Sequence, residues 1–150
     1  MATRWDMVVR DRNDRPVLAV EVKRKLDASP QWAAEYRRNL LAHGVAPEAP
    51  YLLMAFPDQL YLWNNNDSDP GETQPTLAID ALPIFGPYYE RAGVSADRLS
   101  ETSLEIIAET WLNTVLFREP DHLDTSERWL VDSGVYDALV GGKIEYEVAA

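Results

Sequence analysis

Cysteine is absent from the 150-residue chain. That excludes a disulfide framework, a thiol nucleophile and any cysteine-ligated metal. Histidine is scarce: His43 falls at a helix end and His122 in a loop. No serine stands in a G-x-S-x-G elbow, and no glycine-rich phosphate loop is found among the seven glycines. No apolar run approaches the length needed to span a bilayer, so a membrane is not an expected partner. The charged N-terminus is followed by no apolar stretch of the secretory kind, which makes the cytoplasm the expected compartment.

Positive charge is also in short supply. The formal net charge is -11, from 14 Lys and Arg against 25 Asp and Glu. Taken whole, this opposes a nucleic-acid binder, because phosphate contact needs local positive charge. The deficit is uneven, however. Residues 1–43 hold nine Lys and Arg against six Asp and Glu, whereas residues 44–150 hold five against nineteen. What is plentiful is apolar material, 46% of the residues, enough for one domain with its own core over 1–150.

The pattern predicts a strand in "RWDMVVRD" (4–11), a turn in "RNDRP" (12–16) and a second strand in "VLAVEVKRK" (17–25). Ser29 is a candidate N-cap with Pro30 at the first helical position. The helix that follows stacks Trp32, Tyr36 and Leu40 and stops at Gly44. "APYLLMAF" (49–56) reads as a central strand and "QLYLW" (59–63) as its neighbour. "NNNDSDPGETQP" (64–75) lacks EF-hand spacing and reads as a solvated loop. "FGPYYERAGV" (85–94) reads as irregular. A long helix over about 103–118 carries an apolar stripe from Leu104 to Leu116, with Thr102 and Glu105 as a capping box. A shorter helix over 125–139 is stopped by Gly141 and Gly142, and "KIEYEV" (143–148) is a last strand or a tail. The helical C-terminal portion thus covers about 95–142.

If the first two strands form an antiparallel hairpin centred between Asn13 and Asp14, paired residue numbers sum to 27. Trp5 then meets Val22, Met7 meets Val20 and Val9 meets Leu18, which makes one face wholly apolar. On the other face Asp6 meets Glu21, Val8 meets Ala19 and Arg10 meets Val17. Asp6 and Glu21 then stand about 5 Å apart at Cβ, and Lys23 projects from the same face two residues along. Two facing carboxylates repel unless something neutralises them, and a divalent cation with an oxygen-ligand preference would do so. An ordinary exposed face with a Glu21–Lys23 or Asp6–Lys23 surface pair is the plainer alternative.

An Asp early in one strand, a short hairpin, apolar-apolar-Glu-x-Lys in the next strand and then a helix resembles the PD-(D/E)xK nuclease superfamily. The matching residues are Asp6, Glu21, Val22 and Lys23 within "WDMVVRDRNDRPVLAVEVKRK". "RPVLAVEVKRK" is similar to the N-terminal nuclease domains of type I restriction subunits. The resemblance covers about residues 4–63 and implies an α/β, restriction endonuclease-like fold: a mixed central sheet flanked by helices. Trp5 replaces the proline usual before the first Asp. Only five residues precede Asp6, so the family's leading helix and strand are expected from the long helix around 103–118, from another subunit or not at all, and Glu101, Glu105 and Glu109 are candidates for a further acidic ligand if that helix packs there.

The resemblance implies a metal-dependent deoxyribonuclease. Asp6, Glu21 and the Val22 carbonyl would hold Mg²⁺ or Mn²⁺, and Lys23 would act on the water or the phosphate. Arg24, Lys25, Arg37 and Arg38 are candidates for contacts to the DNA backbone. Gln31 is an accessory candidate on the helix after the motif, although its spacing of five to Tyr36 differs from the family's four. Tyr36 itself is expected to pack beside Trp32. The alternative function is a non-catalytic restriction-like module that binds DNA or protein as part of a larger system. The acidic second half and the aromatics Tyr88, Tyr89, Trp111 and Trp129 suit a second copy or a restriction or repair partner subunit.

Overall fold

Two hydrophobic faces with a period of two run through the N-terminal strands, and both are covered. The computed structural model describes residues 6–42, 49–64 and 74–146. Six strands form one mixed sheet: β1 Met7–Arg10, β2 Pro16–Val22, β3 Tyr51–Ala55, β4 Gln59–Asn64, β5 Leu77–Asp80 and β6 Lys143–Tyr146. Their order across the sheet is β5-β4-β3-β2-β1-β6. β2 and β3 are parallel, joined through helix α1, Pro30–Ala42, and the other neighbours are antiparallel. The five helices are completed by α2 Leu82–Ala92, α3 Glu101–Phe117, α4 Arg128–Asp132 and α5 Val135–Leu139. The architecture is therefore the expected α/β one, a mixed sheet flanked by helices with most of the helix in the C-terminal half.

The hairpin register holds over its inner part. Met7 pairs with Val20, Val8 with Ala19 and Val9 with Leu18. At the turn the structure corrects the expectation: a bulge after Val9 sets Arg10 opposite Pro16, not Val17. The Asp11 side chain accepts from the Asn13 and Arg15 backbone N–H groups and Asp14 takes a positive φ of 65°, so the turn closes over 11–15 and leaves Val17 as the extra residue in β2. The pairing of Trp5 with Val22, the stop at Gly44, His43, and positions 65–73 of the Asn-rich loop lie outside the described residues.

One face of the sheet presents Met7, Val9, Leu18, Val20 and Val22 to the helices of the C-terminal half. The expected stripe Leu104, Ile107, Ala108, Trp111, Leu112, Val115 and Leu116 is the buried face of α3. The other face presents Ala19, Leu52, Met54, Tyr61 and Trp63 to α1, whose Ala33 and Leu40 close over them. Ser29 caps α1 as expected, its Oγ accepting from the Trp32 N–H at 3.1 Å.

Several boundaries differ from the pattern reading. Segment 85–94 is helical as far as Ala92, not irregular, despite Pro87 inside α2. Phe85 and Tyr89, four residues apart, are both buried, and that burial outweighs the hydrogen bond Pro87 cannot make. α3 is capped by Ser100, whose Oγ accepts from Ser103 N–H, not by Thr102. The helix expected over 125–139 is broken into a turn, α4 and α5, because Gly134 takes a left-handed φ of 89°. β5 has no counterpart among the strands expected from the pattern; it is a four-residue, half-exposed edge.

Two stability tests arise here. At Gly142 a Cβ would run into the backbone carbonyl of Arg10 where β6 starts beside β1. Gly142→Ala is expected to cost about 1–3 kcal/mol, read as a lowered urea midpoint. Glu127 is buried, accepting from Trp111 Nε1 at 2.8 Å and from the Asp124 N–H at 2.9 Å. Glu127→Ala leaves both donors unpaired and is expected to cost about 1–3 kcal/mol in the same measurement. Trp129 packs on Trp111 at 6.2 Å between ring centres, and Tyr89 is tied to Pro57 O at 2.7 Å, so most of the aromatics noted for a partner serve the core.

Candidate active site

Alternation along β2 sends Leu18, Val20 and Val22 into one core and turns Ala19, Glu21 and Lys23 to the α1 side. The ladder continues past β2 through Lys23 N–H to Ala55 O at 2.9 Å, which fixes the main chain at Lys23. The site therefore stands at the C-terminal end of the parallel pair β2–β3, where open α/β sheets leave a crevice for ligands.

Asp6 immediately precedes β1. Its Oδ2 accepts from the Val22 N–H at 2.7 Å, a bond across the hairpin that holds the carboxylate at the end of β2. Glu21 is 5% exposed and its carboxyl lies close enough to Asp6 to feel that group's charge. Burial first, then Asp6, raises the Glu21 pKa to about 8, while Tyr36 and Lys23 work against the rise.

α1 supplies what the pattern reading assigned only to packing. Tyr36 does stack on Trp32, with ring centres 5.4 Å apart, but its hydroxyl also donates to Glu21 Oε2 at 2.9 Å. Burial and the Glu21 carboxylate push the Tyr36 phenol far above its usual range, so it remains a donor. The Lys23 ammonium lies 4.9 Å from the centre of the Tyr36 ring, and that of Lys25 lies 5.0 Å from the centre of Trp32. Gln31 is exposed on the first turn of α1. Five residues turn the helix by about 500°, so Gln31 and Tyr36 occupy different faces.

Arg37 requires a correction. Its side chain is 1% exposed and its guanidinium sits 5.5 Å from the centre of Trp63, beneath α1. It cannot reach a phosphate. Arg38, its neighbour, is exposed on the same helix.

α3 brings carboxylates to the site from far along the chain. Arg24 Nε donates to Leu99 O at 2.6 Å, and the Arg24 N–H reaches Glu101 Oε1 at 3.4 Å. These bonds tie the segment after β2 to the start of α3. Glu105, one turn on, has its pKa raised by burial and by the charges of Asp6 and Glu101. Glu109 lies a further turn along. No group of three His, Asp or Glu side chains among the described residues is set to hold a metal ion by itself.

Beside the carboxyls is an open cleft of about 680 Å³ lined by Lys23, Arg24, Lys25, Trp32, Arg98, Ser100 and Glu101. Four cations face one carboxylate there, in a chain whose overall charge is strongly negative. Arg98 was not singled out from the sequence; it lies in the acidic portion, and only folding puts it beside Lys23 and Lys25. The chain matches no protein-family model, no curated protein and no solved structure. Among the described residues no helix is long and apolar enough to cross a membrane.

Proposed function

We propose that this chain is a restriction endonuclease-like nuclease domain that hydrolyses DNA phosphodiester bonds with Mg²⁺ or Mn²⁺. The observation that carries the reading is the convergence of Asp6, held by the Val22 N–H, and buried Glu21, held by the Tyr36 hydroxyl, with the Lys23 ammonium over the Tyr36 ring. Two carboxyls crowded together form a donor set whose mutual repulsion a divalent cation would relieve. Asp6, Glu21 and the Val22 carbonyl would hold the ion, which when bound would acidify a water and neutralise charge on the phosphate. Lys23 would orient that water or stabilise charge developing on the phosphoryl oxygens. Tyr36 positions the Glu21 carboxyl through its hydroxyl. Arg24, Lys25, Arg38 and Arg98 would contact the DNA backbone.

The test is calorimetry with Mg²⁺ and Mn²⁺ on wild type and Glu21→Ala, followed by DNA cleavage on the same samples. The wild type is expected to bind and cut, and the variant to do neither. A wild type that neither binds metal nor cuts DNA sinks the reading. One observation favours the alternative, a non-catalytic binding module: the Val22 N–H and the Tyr36 hydroxyl already give Asp6 and Glu21 protein partners.

A further inference from the structure

We propose that the cleft beside the carboxyls holds an unpaired nucleotide, so that the strand bound is single-stranded DNA. The inference rests on the nuclease reading and names the form of its substrate. Three features of the cleft point to it.

The first is a ring without a full covering. Trp32 is only half-buried, although it packs edge-on against Phe56 at 5.9 Å and stacks on Tyr36. It lines the cleft, and what reaches its face there is the exposed, flexible side chain of Lys25. A nucleobase can take the place of an ammonium over an indole, because every base offers a π face. Trp32 is held for this by packing on two other rings.

The second is the charge beside that ring. Lys23, Arg24, Lys25 and Arg98 line the same cleft. Lys25 and Arg98 are exposed, so their positive ends are available to a phosphate. A base on Trp32 would leave the Lys25 ammonium free to move onto the phosphate of the same nucleotide. An aromatic wall flanked by cations is the arrangement that binds single strands with little sequence preference.

The third is the limited extent of the positive surface. The cleft gathers four of the chain's 14 Lys and Arg, whereas the chain as a whole carries 25 Asp and Glu. A duplex has two backbones and needs positive charge along both. Here the four cations of the cleft provide for one backbone, in a chain of net charge -11. One strand, one or two nucleotides deep in the cleft, meets the cations alone.

The experiment uses the full chain in EDTA at low salt, where no cutting occurs. Fluorescence anisotropy compares a labelled 12-nucleotide single strand with the same strand in duplex. Wild type is expected to bind the single strand at least tenfold more tightly. Trp32→Ala should lower single-strand affinity about tenfold, and Trp32→Phe should recover most of it. Should Trp32→Ala fold poorly, Lys25→Glu and Arg98→Glu alter exposed side chains, and each should weaken binding and flatten its salt dependence. The proposal is overturned by equal or tighter binding of duplex, by no binding of the single strand, or by folded Trp32 and charge variants that bind like wild type. Loss of the nuclease reading registers elsewhere, as a wild type that binds DNA without cutting it in Mg²⁺ or Mn²⁺.

Discussion

Lys23→Ala is expected to slow metal-dependent DNA cleavage by about 10²–10³-fold, the usual loss when one preorganised donor to a developing oxyanion is removed. The side chain is half-buried at the end of β2, its main chain is pinned to Ala55, and its ammonium rests over the Tyr36 ring. It is held in place before any substrate arrives. Metal affinity should change far less, by under about tenfold (roughly 1.4 kcal/mol). Loss of Lys23 removes a charge that repels the cation, but it also removes one that favours Glu21 ionisation, and the two effects oppose each other. Single-turnover cleavage beside calorimetry separates them. A variant that cuts at the wild-type rate would remove Lys23 from the chemistry.

The second large effect is on stability. Glu21 binds its proton more tightly in the folded protein, where its pKa lies at about 8, than in the unfolded chain. Between about pH 4.5 and 8 the unfolded chain has released that proton while the folded chain keeps it. Raising the pH through this window therefore favours unfolding. The stabilisation is complete at the acid end and is lost as the pH passes the folded pKa. In EDTA, urea unfolding from pH 5 to 9 should show stability falling by up to about 1.4 kcal/mol per pH unit from this group. Glu21→Gln, which has no proton to lose, should flatten that component. Saturating Mg²⁺ should flatten it too, because a bound cation displaces the proton, and metal affinity should itself rise with pH. Identical slopes for wild type and Glu21→Gln would refute the shift.

The hairpin was legible because its apolar residues match in only one register, and a slip of one would have turned Met7 and Val9 to the wrong face. The α3 stripe was legible for a similar reason, with seven apolar positions at helical spacing. Arg37 and Tyr36 were not. On a helix of mixed composition the pattern could not say that Arg37 lies beneath it against Trp63, or that Tyr36 turns its hydroxyl to Glu21. α2 was hidden by Gly86 and Pro87, which oppose a helix locally while Phe85 and Tyr89 secure one by burial.

What the sequence determined by itself is local and periodic: the two strands and their register, the Ser29 cap, and Asp6, Glu21 and Lys23 on one face. Alternation of side chains and the closure of a short hairpin suffice for these, since each involves residues near one another along the chain. Only the tertiary structure decided the environment of that face. Burial at 5% exposure gives Glu21 its raised pKa, the α3 start brings Glu101 and Glu105 toward Asp6, and Arg98 joins Lys23 and Lys25 across seventy-odd residues. Desolvation and charge proximity depend on distance in space, and no spacing in the sequence encodes them.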